Sequence, residues 1–212
     1  MKKISLFLLF TFASILLSEA QDNAKSILDK ASSTFIKDSG VKAEFNLQVS
    51  EQGRPKGQTD GTICIKGEKF VMNTPESITW FDGKTQWSYV VTSGEVNISN
   101  PTREELQTIN PYSLLSTYKK GFTYELGKAK TFRNKPIYEV TLTPVTAKNG
   151  ISFVTLYIDK QTFHPLFIEV MQDNGSLSKI TITAYHIKQV FSDKMFIFDK
   201  KKYPDVEEID LR

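Results

Sequence analysis

His164 and His186 are the two histidines of the chain and Cys64 is its one cysteine, so the side chains that most often hold metals or attack substrates are scarce. No His-Glu-x-x-His run and no cysteine cluster gives the ligand spacing of a zinc site, and no Gly-x-Ser-x-Gly turn presents a nucleophilic serine. His164 precedes Pro165 at a turn and His186 ends a strand-like run; both positions suit surface or turn residues. Cys64 lies in the apolar run Thr62-Ile63-Cys64-Ile65, where a lone cysteine reads as a small buried hydrophobe. Gly83-Lys84-Thr85 imitates the end of a phosphate-binding loop, but Ile78 stands where the motif needs its first glycine, and a hairpin follows where it needs a helix. Gly53, Gly57 and Gly61 step by four without a Gly-x-Gly and suit turns or bulges. The residue types therefore predict neither enzyme nor metal nor cofactor.

Apolar and aromatic surface remains. Trp80, Trp87 and Tyr89 straddle Asp82-Gly83, among the strongest short hairpin signals. A period of two puts Trp87 and Tyr89 on one face, and cross-strand pairing brings Trp80 near Trp87. An aromatic core and a ligand-lining role are equally open for these three. Leu114, Leu115 and Tyr118 follow Asn110-Pro111 on a short mid-chain helix, where they form either core or a movable cover.

The elements that would position these residues are mostly strands. Asp22 to Ile36 is predicted as an amphipathic helix, with Ala24, Ile27, Leu28, Ala31 and Phe35 at three- and four-residue steps. The period then changes: Val41, Ala43, Phe45, Leu47 and Val49 alternate with polar residues, as in a strand with one face covered and one wet. Short strands and turns continue to Ser99, a helical segment runs from Thr102 to Lys120, and the meander resumes from Phe122 to Ile187. This predicts about eleven antiparallel strands and two helical regions, with no linker or repeat between them. Such a meander forms a sandwich or one large sheet curling toward a barrel, and incomplete closure leaves an apolar hollow that is a binding site by default.

Residues 1–20 join Lys2 and Lys3 to an apolar run from Ile4 to Leu17 and the small-x-small site Ser18-Glu19-Ala20, as in a cleavable secretory signal peptide. The run is shorter than the ~20 residues that span a bilayer, and no cysteine stands at the cleavage point. An exported domain over 21–212 is expected, stabilised by burial because one cysteine forms no internal disulfide. A formal net charge of +3 is too mild for a dedicated nucleic-acid binder. Lys200-Lys201-Lys202 is followed by Asp205, Glu207, Glu208 and Asp210 and is expected to be a solvated tail.

The order of these features resembles the periplasmic lipoprotein carrier family LolA. The resemblance rests on the opening helix, Val41-Lys42-Ala43-Glu44-Phe45, the strand Gly61 to Lys66 with Lys69-Phe70, Pro75, the segment Phe81-Asp82-Gly83-Lys84-Thr85-Gln86-Trp87-Ser88-Tyr89, the Asn110-Pro111 helix and the ending Asp193-Lys194-Met195-Phe196-Ile197-Phe198. It spans essentially all of 21–212. It implies a mainly β (α+β) fold: a single large antiparallel sheet curled into an incomplete barrel, with helices covering the concave face. It also implies a hydrophobic cavity for lipoprotein acyl chains, no cofactor, and a monomer that shuttles cargo in the periplasm from an inner-membrane lipoprotein-export ABC transporter to an unidentified outer-membrane acceptor. The cavity-lining candidates are Phe45, Leu47, Val49, Ile63, Ile65, Phe70, Met72, Trp80, Trp87, Tyr89, Leu114, Leu115 and Tyr118. Family members often carry an Arg-Pro latch for the lid after the strand that here ends at Lys66, and Lys66-Gly67-Glu68 stands in its place. Lys66 is the candidate latch, although lysine lacks the bidentate fork of arginine. A lipid-sensing or adaptor module of the same family, and a lipid hydrolase using scattered carboxylates, are the rival readings.

Overall fold

The alternation from Val41 to Val49 becomes the central strand of a single sheet. The computed structural model describes residues 23–34, 40–103, 105–106, 110, 115, 118–119, 121–146 and 150–212. The expected signal peptide, Leu114 and most of the mid-chain helix lie outside the described residues. A helix, α1, covers residues 23–34. The strands are β1 (Gly40–Glu51), β2 (Arg54–Lys66), β3 (Lys69–Asn73), β4 (Ser77–Phe81), β5 (Gln86–Val90), β6 (Glu95–Ser99), β7 (Phe122–Leu126), β8 (Lys130–Phe132), β9 (Lys135–Pro144), β10 (Ile151–Asp159), β11 (Pro165–Gln172), β12 (Ser176–Gln189) and β13 (Glu207–Asp210).

Their order across the sheet is β13-β6-β5-β4-β3-β2-β1-β12-β11-β10-β9-β7, with β8 paired to β9. β1 joins two arms, pairing with β2 on one side and β12 on the other. The terminal strands β13 and β7 do not pair, so the sheet stays open. Local turn chemistry sets the register where the sequence carries it. Asp82 Oδ1 accepts from the amides of Lys84 and Thr85 at 2.9 and 2.8 Å, and Gly83 takes φ +102°, a conformation open to glycine without a Cβ penalty. Asn174 likewise accepts from the Ser176 amide at 2.9 Å, and Gly175 has φ +82°.

The sheet differs from the expected meander in two ways. Among the described residues it has thirteen strands rather than about eleven, and β13 lies parallel to β6. The tail is therefore not simply solvated: Phe196 is fully buried, Lys200 bonds the Val206 carbonyl, and residues 207–210 extend the sheet.

Candidate functional site

The inward face is set by alternation. Ala43, Phe45 and Leu47 of β1 stand beside Ile63 and Ile65 of β2, then Phe70 and Met72 of β3 and Phe81 of β4. On the other arm Ile180 and Ile182 lead through Ile168, Leu156 and Leu142 to Phe122 on β7. One apolar cluster thus reaches across both arms of the curled sheet. α1 turns Ala24, Ile27, Leu28 and Ala31 into it, and the mid-chain segment adds Leu115 and Tyr118, each 1 % exposed. Val49 lies on the same face at the end of β1, half-buried between Gly57 and Ser178. The Phe45 ring occupies the space over Gly61, where an added Cβ would sit 2.4 Å from the ring and 2.8 Å from the Asn73 carbonyl. Gly61 is thus a close-approach glycine inside a strand rather than a turn residue.

A small polar cluster ties the two covering elements together. The Tyr118 hydroxyl donates to Asp29 Oδ1 at 2.5 Å, and the Lys119 and Lys25 ammonium groups lie 2.8 and 2.9 Å from the same carboxylate. Lys119, then Tyr118 and Lys25, hold the Asp29 carboxyl far below the usual carboxylate range. Burial, then the bond to Asp29, pushes the Tyr118 phenol well above its ordinary value. The sequence reading does not single out Asp29, because Lys25 is a local helix neighbour while Tyr118 and Lys119, which tie it to the other covering element, lie far along the chain.

The structure brings Phe45, Leu47, Ile63, Ile65, Phe70, Met72, Leu115 and Tyr118 together in this inward cluster. Trp80, Trp87 and Tyr89 lie on the opposite face. Phe81 points inward, so its neighbour Trp80 points outward, and Trp87 stands directly across from it. All three pack with Cys64, Val71 and the C-terminal residues Phe198, Tyr203 and Val206. Trp80 meets Phe198 and Tyr203 edge-on at 5.5 and 5.8 Å, and Tyr89 lies 5.0 Å from Tyr203. Their role as cavity lining is corrected to that of an outer aromatic core.

Lys66 also lies on that outer side. Its ammonium donates to the Phe191 carbonyl at 3.0 Å and to Asp193 at 2.8 Å, and Lys69 reaches the other Asp193 oxygen at 2.9 Å. Lys66 therefore fastens the C-terminal segment and, among the described residues, holds no part of the inward cover. Cys64 is buried, and desolvation raises its thiol, as expected of an inert core cysteine.

Sequence reasoning also missed a polar strip beside the apolar face. Thr79 and Gln86 are 6 % and 9 % exposed and share the inward side with Phe81. The Gln86 amide donates to the Ser88 hydroxyl at 3.0 Å, and its Oε1 has no partner among the described residues. Alternation from Phe81 is the signal that finds it. Among the described residues no group of histidine, cysteine and carboxylate side chains is arranged to hold a metal, and no helix is long and apolar enough to cross a membrane.

Comparison with known proteins fits this architecture. An uncharacterized conserved protein from Thermus thermophilus superposes with a TM-score of 0.60 at 12 % identity, covering 89 % of this chain and 99 % of that one. A DUF1329 family protein from Desulfovibrio piger gives 0.52 at 11 % identity, covering 84 % and 97 %. A LolA superfamily protein from Nitrosomonas europaea gives 0.48 at 13 % identity, covering 83 % and 98 %. The first two likenesses show the fold. No curated protein matches by sequence. The sequence profile of the outer membrane lipoprotein carrier protein LolA matches residues 11–174, most of the chain, and with that match the protein belongs to the LolA family of lipoprotein carriers.

Proposed function

We propose that the inward apolar face receives the acyl chains of lipoproteins and that the protein carries them through the periplasm, taking them from an inner-membrane export ABC transporter and giving them to an outer-membrane acceptor. The observation that carries this reading is the covered face itself: an open sheet whose inward cluster is completed by α1, Leu115 and Tyr118, elements outside the sheet. The chemistry required is burial, not bond making.

Acyl burial is worth ~0.8 kcal/mol per methylene, so full burial of several chains would exceed the roughly −18 to −21 kcal/mol at which non-covalent affinity saturates. A carrier must bind more loosely. Here Ile27, Leu28 and Leu115 already occupy the inward face, so loading exchanges one apolar contact for another and the net affinity is only the difference. Release then needs no nucleotide on this chain, only a better apolar host or a return of the cover.

The test adds the purified protein to spheroplasts of its host and follows newly made lipoproteins. The carrier reading expects lipoproteins to appear in the soluble fraction in stoichiometric complex with this chain. Lipoproteins that stay membrane-bound at saturating protein would refute it.

A further inference from the structure

We infer that a slot at the end of β11 is an oxyanion subsite for the headgroup of an anionic amphiphile whose chain lies on the adjoining inward face; this rests on the acyl-binding reading above. The slot follows from an interrupted ladder. β11 pairs with β12 only from Phe167↔Thr181 to Met171↔Leu177, and β11 begins at Pro165, which has no N–H to extend the pairing. β12 runs on without that neighbour, and a register shift at Ile182 and Ala184 bends it against β1. A cavity of about 410 Å³ fills the gap, with Arg133, Lys135, His164, Ile182 and Tyr185 among its walls. Ile182 and Tyr185 also belong to the inward apolar cluster, so the slot borders the surface assigned to acyl chains.

Its polar walls favour an anion. Arg133 and Asn134 form the two-residue turn between β8 and β9, both at positive φ, which fixes Arg133 at the hairpin tip. Arg133 Nη1 donates to the Ile182 carbonyl at 3.3 Å, and the guanidinium has no carboxylate partner among the described residues. Lys135 is matched by Asp159 at 3.1 Å. That carboxylate also accepts from the Gln161 and Thr162 amides at 2.8 and 3.3 Å, so its charge is already bound. The His164 ring lies 4.4 Å from Tyr185, and burial holds it below its ordinary value, leaving a neutral imidazole that still donates a hydrogen bond. One uncompensated guanidinium beside a neutral donor and an apolar floor matches a phosphate or carboxylate at the end of a hydrocarbon chain.

The test titrates the purified protein at low ionic strength with lysophosphatidylglycerol, with lysophosphatidylcholine of the same chain length, and with inorganic phosphate. It reads affinity together with the Arg133 Nε–H resonance. The expected result is that the anionic lipid binds about tenfold more tightly than the zwitterionic one, the size of one charge-assisted hydrogen bond, and alone moves the Arg133 resonance at micromolar concentration. Arg133→Gln should reduce that ratio to near one, and Arg133→Lys should keep part of it. Equal affinities with an unmoved Arg133 resonance would overturn the subsite and leave acyl binding standing. A response to phosphate with none to either lipid would overturn the amphiphile assignment and count against the acyl reading as well.

Discussion

The Tyr118 hydroxyl donates to the Asp29 carboxylate at 2.5 Å, joining the mid-chain segment to α1 across the covered face of the sheet. Both residues belong to the cover rather than to the sheet it closes. Tyr118→Phe keeps the buried ring and deletes this tie. We predict a loss of about 1.5–3 kcal/mol in stability, the range for a hydrogen bond to a charged group, and faster uptake of a fluorescent fatty-acyl probe in stopped-flow mixing. Uptake at the wild-type rate would mean that the tie does not restrain the cover.

The C-terminal segment should respond to acid through Asp193. Hydrogen bonds from Lys66, then Lys69, lower its carboxyl from the ordinary 3.8 to about 2. A carboxylate depressed in the folded state contributes stability above its unfolded value, and that contribution is lost as pH falls from near 4 through about 2. Pepsin should therefore cut after residue 190 more readily at pH 2 than at pH 4. In Asp193→Asn the site should already be open at pH 4, with a smaller change on further acidification. Identical cleavage profiles for the two proteins would rule out the tie as the fastening.

Acyl ligands should leave tryptophan emission unchanged. Trp80 and Trp87 pack under Phe198 and Tyr203 on the outer face, away from the inward cluster. Phe198→Ala, which uncovers Trp80, should instead red-shift the spectrum without ligand. A ligand-dependent shift in the wild type would return the tryptophans to the binding face.

Gly61 and Phe45 should be energetically coupled. A Cβ at residue 61 meets the Phe45 ring at 2.4 Å and the Asn73 carbonyl at 2.8 Å, so Gly61→Ala should destabilise by roughly 1–3 kcal/mol, as overpacking does. Phe45→Leu in the same chain should recover part of that loss but not all, because the carbonyl cannot move aside as a side chain can. Additive effects in the double-mutant cycle would contradict the stacking.

The parts of the fold legible in the sequence were those written locally. Alternation from Val41 to Val49 and the Asp82-Gly83 turn need only neighbouring residues, and both stand as expected. Even the pairing of Trp80 with Trp87 follows from that turn. Which face they occupy does not, because it depends on the cover of each side. The outer cover is built by Phe191, Phe196, Phe198, Tyr203 and Val206, a segment of short 3-10 turns with no period to read. The contact of Lys66 with the C-terminal segment is hidden for the same reason: its partner Asp193 lies far along the chain. Asp29 and Tyr118 were each visible on helix-like segments, but their contact is a tertiary fact.

Photo-crosslinking distinguishes acyl chains on the inward face from acyl chains on the outer one. A lipopeptide with a diazirine at the end of its acyl chain would be irradiated with the purified protein and the adducts mapped by mass spectrometry. Adducts are expected at Phe45, Ile63, Ile65, Phe70 and Met72, competed by unlabelled lipopeptide and not by the non-acylated peptide. Adducts confined to Trp80, Trp87, Tyr89 and the C-terminal segment, or labelling that competitor does not reduce, would contradict it.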